Sequence, residues 1–400
     1  MMKKNDILKN LNKPLLIMSL IYAIGGAFLI LNASSISSVL IYGTGTPYYF
    51  FERQLIIIGV SLLGAYVVLK IPTSYYKLLS LFATLGFIFL LLTAYGSSLI
   101  KSGVQEVTLS LFGGSLQPAE FLKVFIVMYM GSFYGTWANI KHRKWTFLIP
   151  LSICFVAFVI IALAGDYGSA AIMLALFALV FIVVPTNKEE KLIKVLKYTA
   201  VIGLILSILF LKFGYKILPE NKLNSGRLNR LVYTNPCDRY EENSGYQVCN
   251  GYIAINNGGI FGSGIGESVQ KYLYLPASHT DFIFPIIVEE LGVLVGILII
   301  LGYVYMIYLI FKVATSTYKL QNSLICYGIG IYFLLHIFVN LCGVLGIIPL
   351  TGVPLPFLSY GGSFCMTLIG AFAVVQRIHI ENKIEKNNRE IKNIVNNQKI

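Results

Sequence analysis

The sequence predicts an all-α integral membrane protein with ten transmembrane helices, on the basis of its bulk polarity, its long apolar runs and the placement of its charges. Hydrophobic residues make up 56% of the 400 residues and charged residues only 12%, about half the share usual in a soluble domain. A soluble fold of this size would leave much apolar surface in water. Repeated apolar runs are instead long enough to cross a bilayer core as helices.

Ten such runs form a predicted membrane domain over residues 14–380, flanked by an N-terminal segment, 1–13, and a tail, 381–400. The runs lie at 14–33, 54–70, 76–97, 119–138, 145–163, 168–184, 195–214, 282–311, 321–348 and 362–380. The first run is about twice as long as the apolar core of a signal peptide, which favours an uncleaved span. Cleavage would leave nine spans and the same side for the tail.

The net charge of +13 follows the predicted topology. Most Lys and Arg residues fall in the N-terminus, in short loops such as 141–144 and in the tail from Arg377, while short loops on the opposite side carry almost none beyond Arg53 and Lys101. An excess of basic residues marks the cytoplasmic side. Both termini are therefore predicted to be cytoplasmic, and the basicity indicates no nucleic-acid partner.

One large extracytoplasmic loop, residues 215–280, is predicted between spans 7 and 8. Its second half contains a Gly-rich stretch at 258–266, typical of an ordered, tightly turning segment. Cys237 and Cys249 both lie in this loop, and on the oxidising side of a membrane such a pair can form a disulfide. Two free thiols are the alternative.

The sequence lacks the motifs of several common nucleotide, metal and nucleophile sites. It contains no phosphate loop of the form Gly-x-x-x-x-Gly-Lys, and the Gly-rich stretch at 258–266 lacks the strand-then-helix setting of a dinucleotide site. The four histidines show no metal-ligand spacing, and there is no Gly-x-Ser-x-Gly sequence. An enzyme of this kind must draw its energy from the substrate, without a nucleotide cofactor.

Ionisable residues in or beside spans are costly and therefore indicate function. Glu120 and Lys123 follow Gln117-Pro118 at the outer end of span 4, three positions apart, so they face each other on one helix side. They are either substrate contacts or a self-neutralising pair that lets the helix insert.

A second group surrounds the start of span 8, where Asp281 is predicted at the outer end of the helix. It is either a base exposed to the outer aqueous side or a simple helix cap. Glu289 and Glu290 would lie about 13 Å deeper in one continuous helix, at 1.5 Å per residue. They are predicted to be buried structural or gating groups, with Lys123 as a candidate partner.

The outer loop before span 10, residues 349–363, is too rich in Pro and Gly to be helical. Non-helical backbone at membrane depth is tolerated only where it lines a cavity or is buried in protein. We expect this loop to line a substrate groove.

Together these segments resemble the SEDS family of peptidoglycan polymerases (FtsW, RodA and SpoVE). Gln117–Lys123 is similar to the family's Gln-Pro-Ser-Glu-Phe-x-Lys, and 275–292 to its Leu-Pro-Glu-Ala-His-Thr-Asp-Phe-Ile-Phe-Ala…Glu-Glu-Leu-Gly. Pro349–Ser363 matches nearly letter for letter, and Arg53-Gln54 resembles the family's Arg-Gln. Ser268–Lys271 is nearer to FtsW than to RodA.

The resemblance implies a glycosyltransferase that polymerises lipid II, with Asp281 as the base that deprotonates the acceptor hydroxyl, alone or through a divalent cation (Mg²⁺ or Mn²⁺). It also implies a class B penicillin-binding protein as partner, among other divisome or elongasome membrane proteins. The residues implied at the substrate are Arg53, Gln117, Glu120, Lys123, His279, Thr280, Pro356, Ser359, Gly361 and Gly362.

The chain departs from the family pattern in three places. The family's Gly-Ala-x-Arg-Trp corresponds to 103–107, its Pro-Asp-Leu-Gly-Thr to Gly165–Ser169, and Ala277 and Pro285 replace Glu and Ala near Asp281. Two alternatives to a polymerase stay open at this point. A lipid II flippase or transporter also uses broken helices and intramembrane charges, although the polar residues here cluster on the outer half. A non-catalytic scaffold for a transpeptidase is the third reading.

Overall fold

The computed structural model describes residues 7, 9–100, 109–111, 114–137, 145–185, 191–217, 233–241 and 243–397, and these are almost entirely helical. The α-helices are α1 (Lys13–Leu40), α2 (Tyr49–Lys70), α3 (Tyr76–Ile100), α4 (Pro118–Trp137), α5 (Leu148–Leu163), α6 (Tyr167–Val183), α7 (Lys191–Ile217), α8 (Asn243–Gly258), α9 (Ile283–Ser316), α10 (Leu320–Val344) and α11 (Gly362–Asn397). A short antiparallel hairpin, β1 (Leu109–Leu111) and β2 (Gly114–Leu116), precedes α4 and is the exception to the all-α prediction.

Seven of the described helices are long and apolar enough to cross a membrane: α1, α2, α3, α7, α9, α10 and α11. The apolar helices α5 and α6 are shorter, and α4 carries Glu120 and Lys123 within its first turns. These ten helices overlap the ten predicted spans. The chain is thus a multi-pass membrane protein, while ten complete crossings stay a prediction.

The helices differ sharply in how much of their apolar surface other helices cover. In α10 and α11, 72% and 83% of the most apolar window is buried, against 6% in α7. The central pair therefore packs against protein, and the outer helices present apolar side chains outward, as lipid-facing helices do. The α11 helix continues past residue 380 through most of the predicted tail.

The α9 helix is broken at Gly292, whose backbone (φ 84, ψ 165) is not helical. The cause is a close approach by the Gly-rich stretch, because a Cβ on Gly292 would lie 2.3 Å from the carbonyl oxygen of Ile260. The Val293 amide donates to the Gly259 carbonyl (3.0 Å), so this N–H group keeps a hydrogen-bond acceptor despite the break in the helix. The prediction of one continuous helix over 282–311 is therefore wrong.

The predicted outer loop contains α8, which packs along the first half of α9. Gly258 closes this contact, since a Cβ there would lie 2.0 Å from the Val288 carbonyl oxygen. The second half of α9, from Val293 to Ser316, is about 36 Å long and spans a bilayer core without the first half. Residues 218–232 of the loop, and the 103–107 segment, lie outside the described residues.

Candidate functional site

Asp281 lies in a tight turn that precedes α9. Ala277 has a left-handed backbone (φ 57), and its carbonyl accepts from the amides of Thr280 (3.0 Å) and Phe282 (3.3 Å). The Thr280 hydroxyl lies 2.9 Å from Asp281 Oδ1. The residue at the helix cap is Phe282, so Asp281 is not the cap of α9. Its side chain is half-buried and keeps access to solvent.

The Pro- and Gly-rich loop between α10 and α11 holds this turn in place. The Ser359 hydroxyl donates to the Thr280 carbonyl (2.5 Å) and accepts from the Leu355 amide (2.8 Å). The Tyr360 amide donates to the His279 carbonyl (2.9 Å). Asn340 Nδ2 donates to the carbonyl of Asp281 (2.9 Å) and to that of Val353 (2.7 Å). The two segments therefore form one hydrogen-bonded unit.

The tip of the same loop reaches the middle of the helix bundle. Phe357 packs between Phe333 and Phe372, and its carbonyl oxygen would lie 2.1 Å from a Cβ on Gly26 of α1. Gly26 is about 21 Å from the Leu40 end of α1. Pro356 and Ser359 are buried, and the Pro356 carbonyl accepts from the Tyr303 hydroxyl (2.5 Å). The tip is thus non-helical backbone buried in protein, and only its outer limb can border a substrate.

Three glycines that are exposed or half-buried, Gly352, Gly361 and Gly362, lie on either side of the buried tip. A Cβ on Gly352 (φ +70) would lie 3.8 Å from Asp281 Oδ2, so the absent side chain leaves space beside the carboxylate. Gly361 immediately precedes α11 and Gly362 begins it, and both are half-buried. The first amides of a helix have no intrahelical acceptor and favour anions.

His279 is buried against aromatic rings. Its ring centroid lies 4.5 Å from that of Phe50 and 6.0 Å from that of Tyr360. Burial lowers the pKa of His279 to about 4. The imidazole is therefore neutral at physiological pH, and its Nδ1 has no hydrogen-bond partner among the described residues.

Arg53 lies at the same end of the molecule. Its guanidinium is 4.4 Å from the ring centroid of Tyr49, and it hydrogen-bonds the Tyr360 side chain. Burial raises the pKa of Tyr360, and Arg53 opposes part of that rise. The structure therefore brings a cation, a neutral imidazole and the Asp281 carboxylate together near the starts of α2, α9 and α11.

Gln117 links the start of α4 to two neighbouring helices. Its backbone amide donates to Ser363 Oγ of α11 (2.8 Å), and its side-chain Nε2 donates to Asp166 Oδ2 (3.0 Å). Asp166 also caps α6 by accepting from the Ser169 amide (3.0 Å). The described contacts of the Gly165–Ser169 segment are therefore structural, because they cap α6 and hold the start of α4.

Glu120 and Lys123 form the pair that their spacing predicts. Lys123 Nζ lies 2.7 Å from Glu120 Oε1, and the two side chains are 0% and 5% exposed. The Tyr332 hydroxyl of α10 lies 3.5 Å from Glu120 Oε2. A substrate role for either charge would require opening this pair.

Glu290 pairs with Lys271 of the Gly-rich segment (2.9 Å), so the predicted partnership with Lys123 is wrong. Lys271 Nζ also donates to Asn32 Oδ1 (3.0 Å), and Asn32 Nδ2 donates to Glu290. The Ser278 hydroxyl, near Asp281, donates to the carbonyl of the adjacent Ala33 (3.0 Å). Both ends of the segment from 278 to 290 thus reach consecutive residues of α1. The segment runs largely across α1, so the prediction that Glu290 lies about 13 Å deeper than Asp281, which assumed one continuous helix from Asp281, is wrong.

Glu289 accepts from four groups and is almost fully buried. The donors are Asn257 Nδ2, the Ser268 hydroxyl and the amides of Val269 and Gln270. Both glutamates therefore attach residues 268–271 of the large loop to the break in α9, which agrees with a structural role. The sequence analysis does not identify Asn32 or Asn340, although both are polar residues inside apolar runs, and it includes Lys271 only in the Ser268–Lys271 stretch that resembles FtsW.

Cys237 and Cys249 form a disulfide, with their Cα atoms 5.0 Å apart. The bridge joins a 3₁₀ turn, Pro236–Arg239, to α8. The other four cysteines are free, three of them buried. Within the described residues no group of three or more His, Cys, Asp or Glu side chains is arranged to hold a metal ion.

These features define a multi-pass helical membrane protein with a half-exposed carboxylate held beside a re-entrant loop. The family model described as "Cell cycle protein", which covers FtsW, RodA and SpoVE, matches residues 12–384, and the chain belongs to that family.

The chain is 32% identical over 381 residues to "Probable peptidoglycan glycosyltransferase FtsW" of Bacillus subtilis, covering 93% of this chain and 92% of the relative. It is 28% identical over 371 residues to "Stage V sporulation protein E" of the same organism, covering 91% and 95%.

Two solved structures have the same fold. The rod shape determining protein RodA of Thermus thermophilus superposes with a TM-score of 0.62 at 18% identity, covering 93% of this chain and 97% of RodA. A chain from a structure titled "Structural coordination of polymerization and crosslinking by a peptidoglycan synthase complex" gives 0.66 at 19% identity, covering 93% and 98%.

Proposed function

We propose that the chain is a peptidoglycan glycosyltransferase that polymerises lipid II into glycan strands at the outer face of the bacterial cytoplasmic membrane. The observation that carries the proposal is the half-exposed carboxylate of Asp281, held by Thr280, Asn340 and the re-entrant loop. The names of the FtsW relatives support the same activity.

Asp281 acts as the general base. It accepts the proton of the acceptor sugar's 4-hydroxyl, and that oxygen attacks the anomeric carbon of the growing glycan. The bond between that carbon and the pyrophosphate oxygen breaks, and undecaprenyl pyrophosphate leaves. Loss of this activated phosphate ester drives the reaction, so the enzyme needs no nucleotide. A positioned base of this kind contributes roughly 100- to 10,000-fold to the rate.

Arg53 and the first amides of α11, at Gly361 and Gly362, are the proposed contacts of the pyrophosphate. Charge-assisted hydrogen bonds and a helix N-terminus both suit a phosphate group. Lys123 is fully buried in its pair with Glu120, so these two residues contribute through packing. His279 is neutral and buried against aromatic rings, so it also contributes through packing.

A divalent cation, Mg²⁺ or Mn²⁺, is part of the proposal. Mg²⁺ is commonly held by one or two carboxylates together with substrate phosphates, and a single carboxylate, Asp281, beside the Thr280 hydroxyl fits that pattern. When bound, the ion would neutralise negative charge on the pyrophosphate.

The proposed arrangement has ten crossings, both termini in the cytoplasm, and Asp281 facing outward. A class B penicillin-binding protein is the proposed partner, among other division or elongation proteins, because one structural neighbour comes from a complex that couples polymerisation to crosslinking.

The test uses purified protein, alone and with its class B partner, incubated with labelled lipid II and Mg²⁺ or Mn²⁺. Wild type should make polymer, and Asp281→Asn should lose at least about 100-fold of the rate. Glu267→Gln removes an exposed carboxylate from the same outer segment and should keep full activity. Equal rates for wild type and Asp281→Asn would remove Asp281 from its role. Transfer of lipid II across liposomes without any polymer would identify a flippase instead.

A further inference from the structure

A cluster of aromatic rings adjoins Asp281 and has no part in the reaction described above. Tyr42 packs its ring at 5.0 Å from Phe50 and 6.0 Å from His279, nearly perpendicular to both. Tyr360 lies 4.9 Å from Phe50. The Tyr360 amide donates to the His279 carbonyl, and the Ser359 hydroxyl donates to the Thr280 carbonyl, so the cluster and the Asp281 turn belong to one hydrogen-bonded unit.

The turn that carries Tyr42 is held by its own hydrogen bonds. The Thr44 amide and hydroxyl both donate to the Ser38 carbonyl (3.2 and 2.9 Å). The Ser38 hydroxyl donates to the Thr46 carbonyl (2.8 Å), and Gly43 and Gly45 supply left-handed backbone. The chain thus folds back at a fixed angle, which places Tyr42 against Phe50.

Tyr42 is 55% exposed even though two rings contact it, whereas Phe50 and His279 beneath it are 5% and 3% exposed. The cluster is therefore a buried aromatic base with one ring presented outward. A pyranose has a face of C–H groups with slight positive charge, and the face of an aromatic ring is negative. Such a ring binds a sugar face at little cost in side-chain freedom.

We infer that Tyr42, supported by Phe50 and His279, forms a stacking subsite for a pyranose ring on the acceptor side of the substrate. This inference rests on the proposed function, because it names how the sugar whose hydroxyl faces Asp281 is held. Lipid II is the acceptor in that reaction, so loss of the subsite raises the KM for lipid II and leaves kcat nearly unchanged.

Tyrosines at a membrane surface also occur as an interfacial belt with no ligand, and the test separates the two roles. Tyr48 is 53% exposed in the same connection and makes no ring contact with the cluster within the described residues. Tyr48→Leu is therefore the matched control. Tyr42→Phe keeps the aromatic face, and Tyr42→Leu keeps an apolar contact for lipid while it removes the face.

Steady-state polymerisation by the full-length protein is measured against lipid II concentration for each variant. Tyr42→Leu should raise the KM about five- to tenfold, a loss of roughly one stacking contact. Tyr42→Phe and Tyr48→Leu should stay within about twofold of wild type. An unchanged KM in Tyr42→Leu, or an equal rise in Tyr48→Leu, would overturn the subsite.

A second measurement does not depend on turnover. In the Asp281→Asn protein, saturation transfer to a soluble, lipid-free GlcNAc–MurNAc peptide should be seen at the sugar protons and should disappear when Tyr42→Leu is added. Persistence of the transfer would also overturn the subsite. If wild type makes no polymer at all, the proposed function fails, whereas polymer formation with an unaltered Tyr42→Leu profile rejects the subsite alone.

Discussion

The two ends of the first half of α9 carry carboxylates in opposite situations. Asp281, before the helix, is half-exposed and lies beside Thr280 and the open side of Gly352. Glu289 and Glu290, at its far end, are 1% and 3% exposed and receive donors from Ser268, Lys271 and several backbone amides.

This difference separates the carboxylate that we propose as the base from two that a substrate cannot reach. A base must accept a proton from a substrate that contacts it, and a carboxylate enclosed by protein donors is inaccessible. Burial with full hydrogen bonding instead fixes one backbone arrangement. The Glu289–Glu290 end therefore fixes the break in α9, and the position of the Asp281 turn depends on that fixed backbone.

The largest expected effect comes from removing the cation at the anchored end. Lys271→Met leaves Glu290 buried and uncompensated, which typically costs about 3–5 kcal/mol. We expect a lower midpoint of thermal unfolding in detergent. Adding Glu290→Gln to Lys271→Met should recover part of the loss, because the buried charge is then gone.

Lys386→Met is the matched control for that experiment. Lys386 and Glu390 are 3.9 Å apart, and both are more than 60% exposed, so this change should cost less than about 1 kcal/mol. If Lys271→Met were as mild as the control, the anchored end would have no stabilising role and the comparison would fail.

An intermediate effect is expected from pH at the Asp281 end. Burial lowers the folded-state pKa of His279 to about 4, below the usual value of about 6.5. Between these two values the unfolded chain binds a proton that the folded chain does not, so stability falls as the pH falls. The loss from pH 7 to pH 5 is about 2 kcal/mol for this residue.

The measurement compares unfolding at pH 7 and pH 5 in wild type and His279→Phe, which keeps the ring packing against Phe50. The difference between the two pH values should be smaller in the variant by about 2 kcal/mol. Identical pH dependence in both proteins would mean that His279 is accessible to protons in the folded state.

The smallest effect on stability is expected at Gly352. Gly352 and Gly259 are both exposed and both have left-handed backbone (φ +70 and +51), and a Cβ on Gly259 would have nothing within 4 Å. Alanine at either position should cost about 1 kcal/mol of left-handed strain. Only Gly352→Ala places a methyl group beside Asp281 Oδ2, so only that variant should lose polymerisation, about tenfold in kcat/KM. Equal activity of the two variants would show that the approach to Asp281 lies elsewhere.

The membrane class, the positions of the ten helices and the pairing of Glu120 with Lys123 could all be predicted from the sequence. These depend on local apolar length and on helical spacing, which the chain carries in short windows. The pairing of Cys237 with Cys249 was one of two alternatives. Asp281 was found because a charged residue beside a span is rare.

The break at Gly292 and the pairing of Lys271 with Glu290 could not be predicted in this way. The break results from contact between Gly292 and the backbone of Ile260, 32 positions away, and the ion pair joins side chains 19 positions apart. Neither residue differs locally from a Gly in an apolar helix or a Lys in a loop. The packing of the re-entrant loop also depends on residues distant in sequence. The loop was expected to line a groove, but its tip packs between Phe333 and Phe372.

The buried tip of that loop makes the reaction geometry depend on a remote glycine. Gly26 lies against the carbonyl of Phe357, and any side chain there must displace the tip. The displacement would pass through Ser359 to the Thr280 carbonyl, one residue from Asp281. A methyl group placed deep in the bundle would thereby shift the carboxylate that we propose as the proton acceptor.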